Sequence, residues 1–319
     1  MKKILFFVLL SCSLYSQNYN EVIDSIEKLT ILGDSKLVLS YSKKNINNFS
    51  NDEKAEILLK QFLSQYRINK HESLKYLWKC KKKYSDSTKT KLNYFLGYTH
   101  NSLKNYDSAF FYLKKSLKTN SDQYEFLGKT HKTLGHLFNS IGKFDLGLTH
   151  FKKAENIFLK NLDSLRLLLV YNEISNYYAA ELNTDSSFFY LKKATDIQIN
   201  HRAKGISYVN IGVIYHGIKN NIDSATYYFN KAQEYNLSDN VLTSLYINKA
   251  IVEIKRGKIK NAIEFYEKSK NLAIKTKNLD IQLFIQKDLA NLFEEKHDYK
   301  KALYHLKNSI PLKLSLIHI

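Results

Sequence analysis

Along most of the chain a small residue, a large one four positions later and another small one three positions after that fall on one face of a helix. The triplets are Ser73, Leu77 and Cys80; Ala109, Leu113 and Ser116; Gly147, Phe151 and Ala154; Ser187, Leu191 and Ala194; Ala225, Phe229 and Ala232; Ala262, Tyr266 and Ser269; and Ala302, Leu306 and Ser309. Some twelve residues before a triplet stands a second small residue with a ring three positions on: Gly97 and His100, Gly135 and Phe138, Ser175 and Tyr178, Gly212 and Tyr215, Ala290 and Phe293. The copy at Ala250 puts Glu253 in the ring's place. This spacing predicts two helices per copy that approach at their small residues, with the large residue filling the groove between them. Gly212 lies thirteen residues before Ala225 instead of twelve, which predicts one extra residue in that hairpin turn.

The small–ring and small–large–small spacings are those of the tetratricopeptide repeat, and the chain resembles that family from about Asn51 to Ser309. The resemblance implies an all-α fold, a right-handed superhelical solenoid of antiparallel helix hairpins, with residues 51–309 forming about seven repeats. Successive triplets start 36 to 40 residues apart, against about 34 in the family. The proline that usually ends each repeat is missing, and assorted residues replace the tryptophan near each start. This loose spacing resembles the regulatory and sensor arrays of bacteria more than compact co-chaperone domains. Asn20 to Asn48, with Gly33, Asp34 and Ser35 as turn and cap, reads as a degenerate capping hairpin within residues 17–50.

In such arrays the first helices line a groove that holds an extended peptide or a partner helix. The family's frame places Tyr94, Tyr98 and Asn101, then Lys132, His136 and Asn139, then Asn172 and Asn176, Val213 and His216, and Lys287 and Asn291 on that wall. The packing positions are Gly97, Ala109, Gly135, Ala154, Ala194, Gly212, Ala225, Ala232, Ala262 and Ala302. With little acid before Glu294, the wall suits an acidic or carboxylate-bearing peptide. The carboxylate clamp of chaperone-binding members is absent in its known form: His136 follows Lys132, and Glu173 stands where asparagine is expected.

Composition sharpens this picture. A single proline, Pro311, and ten glycines leave little turn vocabulary for a β protein. The net charge of +19 raises nucleic acid as a partner. Yet only Arg67, Arg166, Arg202 and Arg256 are arginines, so 45 of the 49 basic residues are scattered lysines, which argues for a solvated surface and against nucleic-acid recognition. The densest run is Lys79, Lys81, Lys82 and Lys83, at the end of a predicted helix where cations complement the dipole. The ten histidines form no H-x-x-x-H pair, and His131 and His136 lie on different helix faces. No phosphate-binding or dinucleotide glycine motif occurs. The expectation is a non-enzymatic protein with no cofactor and no metal.

Met1, Lys2 and Lys3, the apolar run Ile4 to Leu10 and a short polar close have the layout of a secretory signal over residues 1–16, with cleavage before Gln17. An alternative reads Leu9, Leu10, Ser11 and Cys12 as a lipobox with Cys12 lipidated, which would be the chain's one route to a membrane. The expected location is periplasmic or on the cell surface. Residues 310–319 form an apolar tail whose leucine alternation suits a strand or a buried segment more than a helix. Two functions fit: an exported scaffold binding a protein or peptide in its groove, or the extracytoplasmic sensor part, whole or truncated, of a signalling protein with a histidine kinase or helix-turn-helix output.

Overall fold

The structure, a computed structural model, describes residues 19–46, 49–66, 68–80, 84–118 and 123–317. Residues 1–16, expected to form a secretory signal, with Cys12 among them, and Lys81, Lys82 and Lys83 lie outside the described residues. Among the described residues all sixteen elements are α-helices. They divide between two compact units, residues 1–161 and 162–319.

The first unit contains four antiparallel hairpins: α1 (Tyr19–Ile31) with α2 (Ser35–Asn45), α3 (Asn51–Tyr66) with α4 (Lys70–Trp78), α5 (Asp86–Ser102) with α6 (Tyr106–Lys118), and α7 (Tyr124–Ser140) with α8 (Phe144–Lys160). The second repeats the arrangement: α9 (Ser164–Ala180) with α10 (Thr184–Asp196), α11 (Arg202–Gly217) with α12 (Ile222–Gln233), α13 (Asp239–Lys255) with α14 (Ile259–Lys275), and α15 (Leu279–Glu295) with α16 (Tyr299–Ile317). Within each unit the core clusters bridge successive hairpins. Tyr94, Leu113, Leu134 and Leu137 join α5, α6 and α7, and Ile285, Leu289 and Phe293 of α15 close over Ala262 and Tyr266 of α14. No hairpin buries its apolar stripe alone, which is the defining economy of a repeat array.

The close approach expected at the small residues is present. A Cβ on Gly97 would fall 2.6 Å from Cγ of Leu113, one on Gly135 2.5 Å from the Phe151 ring, and one on Gly212 2.4 Å from the Phe229 ring. Each glycine therefore abuts the large residue of its own triplet. Where serine replaces alanine in this apolar seam, its hydroxyl finds an acceptor: Ser116 donates to the Thr90 carbonyl (3.1 Å) and Ser269 to the Thr243 carbonyl (3.0 Å).

The ring three positions after the small residue stacks on a ring of the second helix. His100 lies on Tyr112, Phe138 on His150, Tyr178 on Tyr190, Tyr215 on Tyr228 and Phe293 on His305, with centroids 5.3 to 5.8 Å apart. The exception at Glu253 has a physical explanation: its buried carboxylate accepts from Arg256 (3.2 Å) and Asn261 (3.1 Å), a polar clasp in place of the stack.

Each turn inside these hairpins closes on the same backbone bond. The carbonyls of His100, Phe138, Tyr178, Tyr215, Glu253 and Phe293 accept from the N–H of Asn105, Lys143, Asn183, Asn221, Lys258 and Asp298, the outer bond of a Schellman-type stop. The preceding residue is left-handed: Gly142 and Gly257, but also Lys104, Leu182, Asn220 and His297. Asn183, Asn221 and Asp298 then cap the following helix through their side chains. The α11–α12 turn, between Gly217 and Ile222, holds four residues where the others hold three, which is where the extra residue announced by Gly212 resides.

The carboxy-terminal segment differs from its expected form. α16 continues as a helix through Pro311 to Ile317, and Ser315 donates to the Pro311 carbonyl at 2.9 Å. Leu303, Leu306, Ile310 and Leu314 extend the three- and four-residue spacing of the helix before them, and this longer period overrides the short leucine alternation.

Leu182 is 81% exposed at φ 56°, so its side chain gains no burial while its backbone sits in the region that disfavours Cβ. Leu182→Gly should stabilise the protein by about 1 kcal/mol in urea titration. Gly135→Ala should cost about 1–3 kcal/mol, because the Phe151 ring has to shift.

Candidate functional site

The wall positions fall on the first helices, and each unit's share has its own chemistry. In the first unit the rings form a chain: Tyr66 of α3 lies 5.6 Å from Tyr98 of α5, Tyr98 stacks 5.9 Å from Tyr94, and Tyr94 meets Phe126 of α7 edge-on at 5.5 Å. Tyr94 is buried and Tyr98 exposed. The Tyr66 hydroxyl donates to Ser102 (2.9 Å), and burial pushes its pKa up to about 12. Lys91 and Lys129 both sit over Phe126, at 5.9 and 4.9 Å. Each is also paired with a carboxylate, Lys91 with Glu56 at 3.3 Å and Lys129 with Glu125 at 2.5 Å. Glu56 and Glu125 thus put acid beside a wall expected to lack it, and the match to an acidic peptide is correspondingly weaker here.

Lys132 and His136 are half-buried, with His136 edge-on to Phe151 at 5.3 Å. Asn139 turns toward α8: its Oδ1 lies 1.9 Å from where a Cβ on Gly147 would be, so the amide occupies the space that glycine leaves. The buried Oδ1 atoms of Asn101 and Asn139 have no hydrogen-bond partner among the described residues.

In the second unit the wall is a ladder of amides and one imidazole. Asn210 of α11 donates to Asn176 of α9 at 3.1 Å, and His216 of α11 bonds through Nε2 to Oδ1 of Asn248 on α13 at 2.9 Å. The ammonium of Lys255 donates to the His216 carbonyl at 2.6 Å. Asn172 is 5% exposed and its Nδ2 faces two carbonyls, Leu168 (3.2 Å) and Ala203 (3.5 Å). That fixes the amide's orientation and leaves its buried Oδ1 unpartnered. Asn248 offers His216 an acceptor, so Nε2 carries the proton and Nδ1, buried in a side chain 8% exposed, is a second unpartnered acceptor. Burial holds the His216 pKa below its ordinary value, which keeps the ring neutral. Val213, Lys287 and Asn291 are exposed.

Asn210 and Asn248 were not among the expected wall residues. Both stand two positions before the small packing residue, Gly212 and Ala250, and that shared offset is the signal that marks them.

A second constellation lies away from the wall. His131 of α7 and His150 of α8 face each other with their Nδ1 atoms 2.9 Å apart, one donating and the other accepting. Burial, then His150 and Lys153, lower the His131 pKa to about 4, and burial with Lys153 lowers that of His150. Among the described residues no three His, Cys, Asp or Glu side chains gather as a metal site would require, and no helix is long and apolar enough to cross a membrane.

The antiparallel hairpins, their small–large contacts and their stacked rings define a helical repeat protein. Models of the tetratricopeptide repeat match residues 241–315 and 90–123. The chain is a tetratricopeptide-repeat protein. No curated protein sequence matches it. Solved structures share the fold at low identity. A Cut9–Hcn1 hetero-tetramer structure of the APC/C is matched with TM-score 0.63 and 15% identity over 91% of this chain, which spans about half (52%) of that one. The apo quorum sensor NprR from B. thuringiensis gives TM-score 0.62 and 13% identity, covering 92% of this chain and 97% of that one. A Rap protein complexed with Competence and Sporulation Factor gives 0.61 and 14%, covering 95% and 99%.

Protonating both His131 and His150 would set two donors against each other. Their folded pKa values lie below the unfolded value of 6.5, so the contribution to stability is complete above that pH and is lost as pH falls from about 6.5 toward 4. The corresponding side chains in the next hairpin are Tyr171 and Tyr190, so His131→Tyr with His150→Tyr should flatten the decline of melting temperature across that window. Part of the slope should remain, because burial also depresses His100, His216 and His305.

Proposed function

We propose that this protein is an exported, non-catalytic scaffold that holds an extended segment of a peptide or partner protein against the first-helix wall of residues 162–319. The observation that carries the reading is the row of amides along this wall: Asn176 is exposed and Asn210 and Asn248 are part-exposed, Asn210 donating to Asn176 and His216 holding Asn248 through Nε2. Each of these amides offers both a donor and an acceptor, so the row can pair with a peptide backbone whatever its side chains. Tetratricopeptide-repeat proteins are generally scaffolds without catalysis, and the solved Rap complex bears a bound factor on the same fold.

The test starts with peptides selected from a random display library on the full chain. His216→Ala and Asn176→Ala should each weaken the best of them about fivefold to hundredfold by calorimetry, with unchanged helicity. Equal affinity in both variants would overturn the reading.

Export rests on the layout of residues 1–16. Expression with the native amino terminus in a bacterial host, followed by fractionation and intact mass, should give an exported chain beginning at Gln17. A lipidated Cys12 in the membrane fraction would keep export and replace the free form by a tethered one. An uncleaved cytoplasmic chain would overturn export.

A further inference from the structure

α16 departs from the other second helices at one position. The large residue of its triplet, Leu306, is 46% exposed, whereas Leu113, Phe151, Leu191, Phe229 and Tyr266 are all 0% exposed. Leu303, Ile310 and Leu314 continue the stripe along the same helix face at 52, 55 and 51% exposure. Completing the burial of such side chains is worth on the order of 1 kcal/mol each, so the stripe is an amphipathic face that no described residue covers.

The rest of the unit shows what kind of element covers this face. Tyr266, the counterpart of Leu306 in α14, is buried under α15, the first helix of the following hairpin, and its hydroxyl donates to the Asp288 carboxylate there. Phe229 of α12 likewise shares its core with Leu245 and Val252 of α13. The occupant in each case is an apolar-striped helix. Electrostatics specify it further. From Tyr299 to Ile317 the helix carries Lys300, Lys301, Lys307 and Lys313 and no Asp or Glu. An acidic helix complements that field, whereas a second copy docking through the same face would bring like charges together.

We propose that the face of α16 formed by Leu303, Leu306, Ile310 and Leu314 docks an acidic amphipathic helix of a partner protein. This surface is separate from the first-helix wall and stands independently of the peptide reading given there.

The probe is a labelled peptide with the sequence of α15, Leu279–Glu295, which carries Asp280, Asp288, Glu294 and Glu295 against Lys287. Fluorescence anisotropy against the full chain should show saturable binding that weakens with added salt. Leu306→Ser and Ile310→Glu should each weaken it at least tenfold while circular dichroism stays unchanged, and a peptide with the four acids replaced by lysine should not bind. Four results would overturn the proposal: no binding of the acidic peptide, equal binding of the lysine peptide, binding indifferent to both variants, or self-association of the chain that Leu306→Ser abolishes. Binding to vesicles of anionic lipid that Ile310→Glu abolishes, without binding of the peptide, would overturn it in favour of a membrane surface.

Discussion

The contact on which the rest depends is the one between a residue with little or no side chain on the first helix and the large residue of the second. At Gly97, Gly135 and Gly212 a Cβ would fall 2.4 to 2.6 Å from Leu113, Phe151 and Phe229, so the large residue would have to shift to admit it. That proximity sets the separation of the two helices and lets the ring three positions later reach its stacking partner across the seam. The carbonyl of this ring-bearing residue also closes the turn. A single position therefore serves packing through its side chain and chain reversal through its backbone. The turn is consequently uniform: where one residue is inserted, between Gly217 and Ile222, the bond still returns to the Tyr215 carbonyl.

This explains which features are legible in the sequence. Close packing demands residue size at fixed spacing, so the triplets and the small residues before them identify every hairpin from α5 to α16. The seam demands only flatness. Tyr112, His150, Tyr190, Tyr228, Phe265 and His305 fill the corresponding place, and a search for one residue type passes over them. Glu253 looks like a broken copy until Arg256 and Asn261 are seen to satisfy it. The His131–His150 contact is illegible for the same reason: the two are nineteen residues apart and meet only because the hairpin folds them together.

The wall is less legible because little there repeats. Packing positions recur in each hairpin under the same physical demand, whereas of Asn172, Asn176, Asn210, His216 and Asn248 only Asn210 and Asn248 keep a common offset from the small residue. Register alone placed Asn139 beside Asn101 and Lys132, and the structure turns its amide toward Gly147. An asparagine's position on a helix is set by period, but the direction of its amide depends on which neighbours need a donor.

Departure from the repeat thereby becomes informative. In an array whose stability accumulates from neighbour to neighbour, a locally unfavourable group is tolerated when the surrounding hairpins hold it in place. The buried Oδ1 of Asn172 and Nδ1 of His216 are such groups, and so is the uncovered Leu306. Their physical deficits differ in kind. The first two lack donors and are sealed from solvent inside the packing of the first helices; the third lacks apolar cover and lies on the surface, where a side-chain-bearing face can supply it. One deficit is therefore held in place by the hairpins around it, and only the other can be relieved from outside.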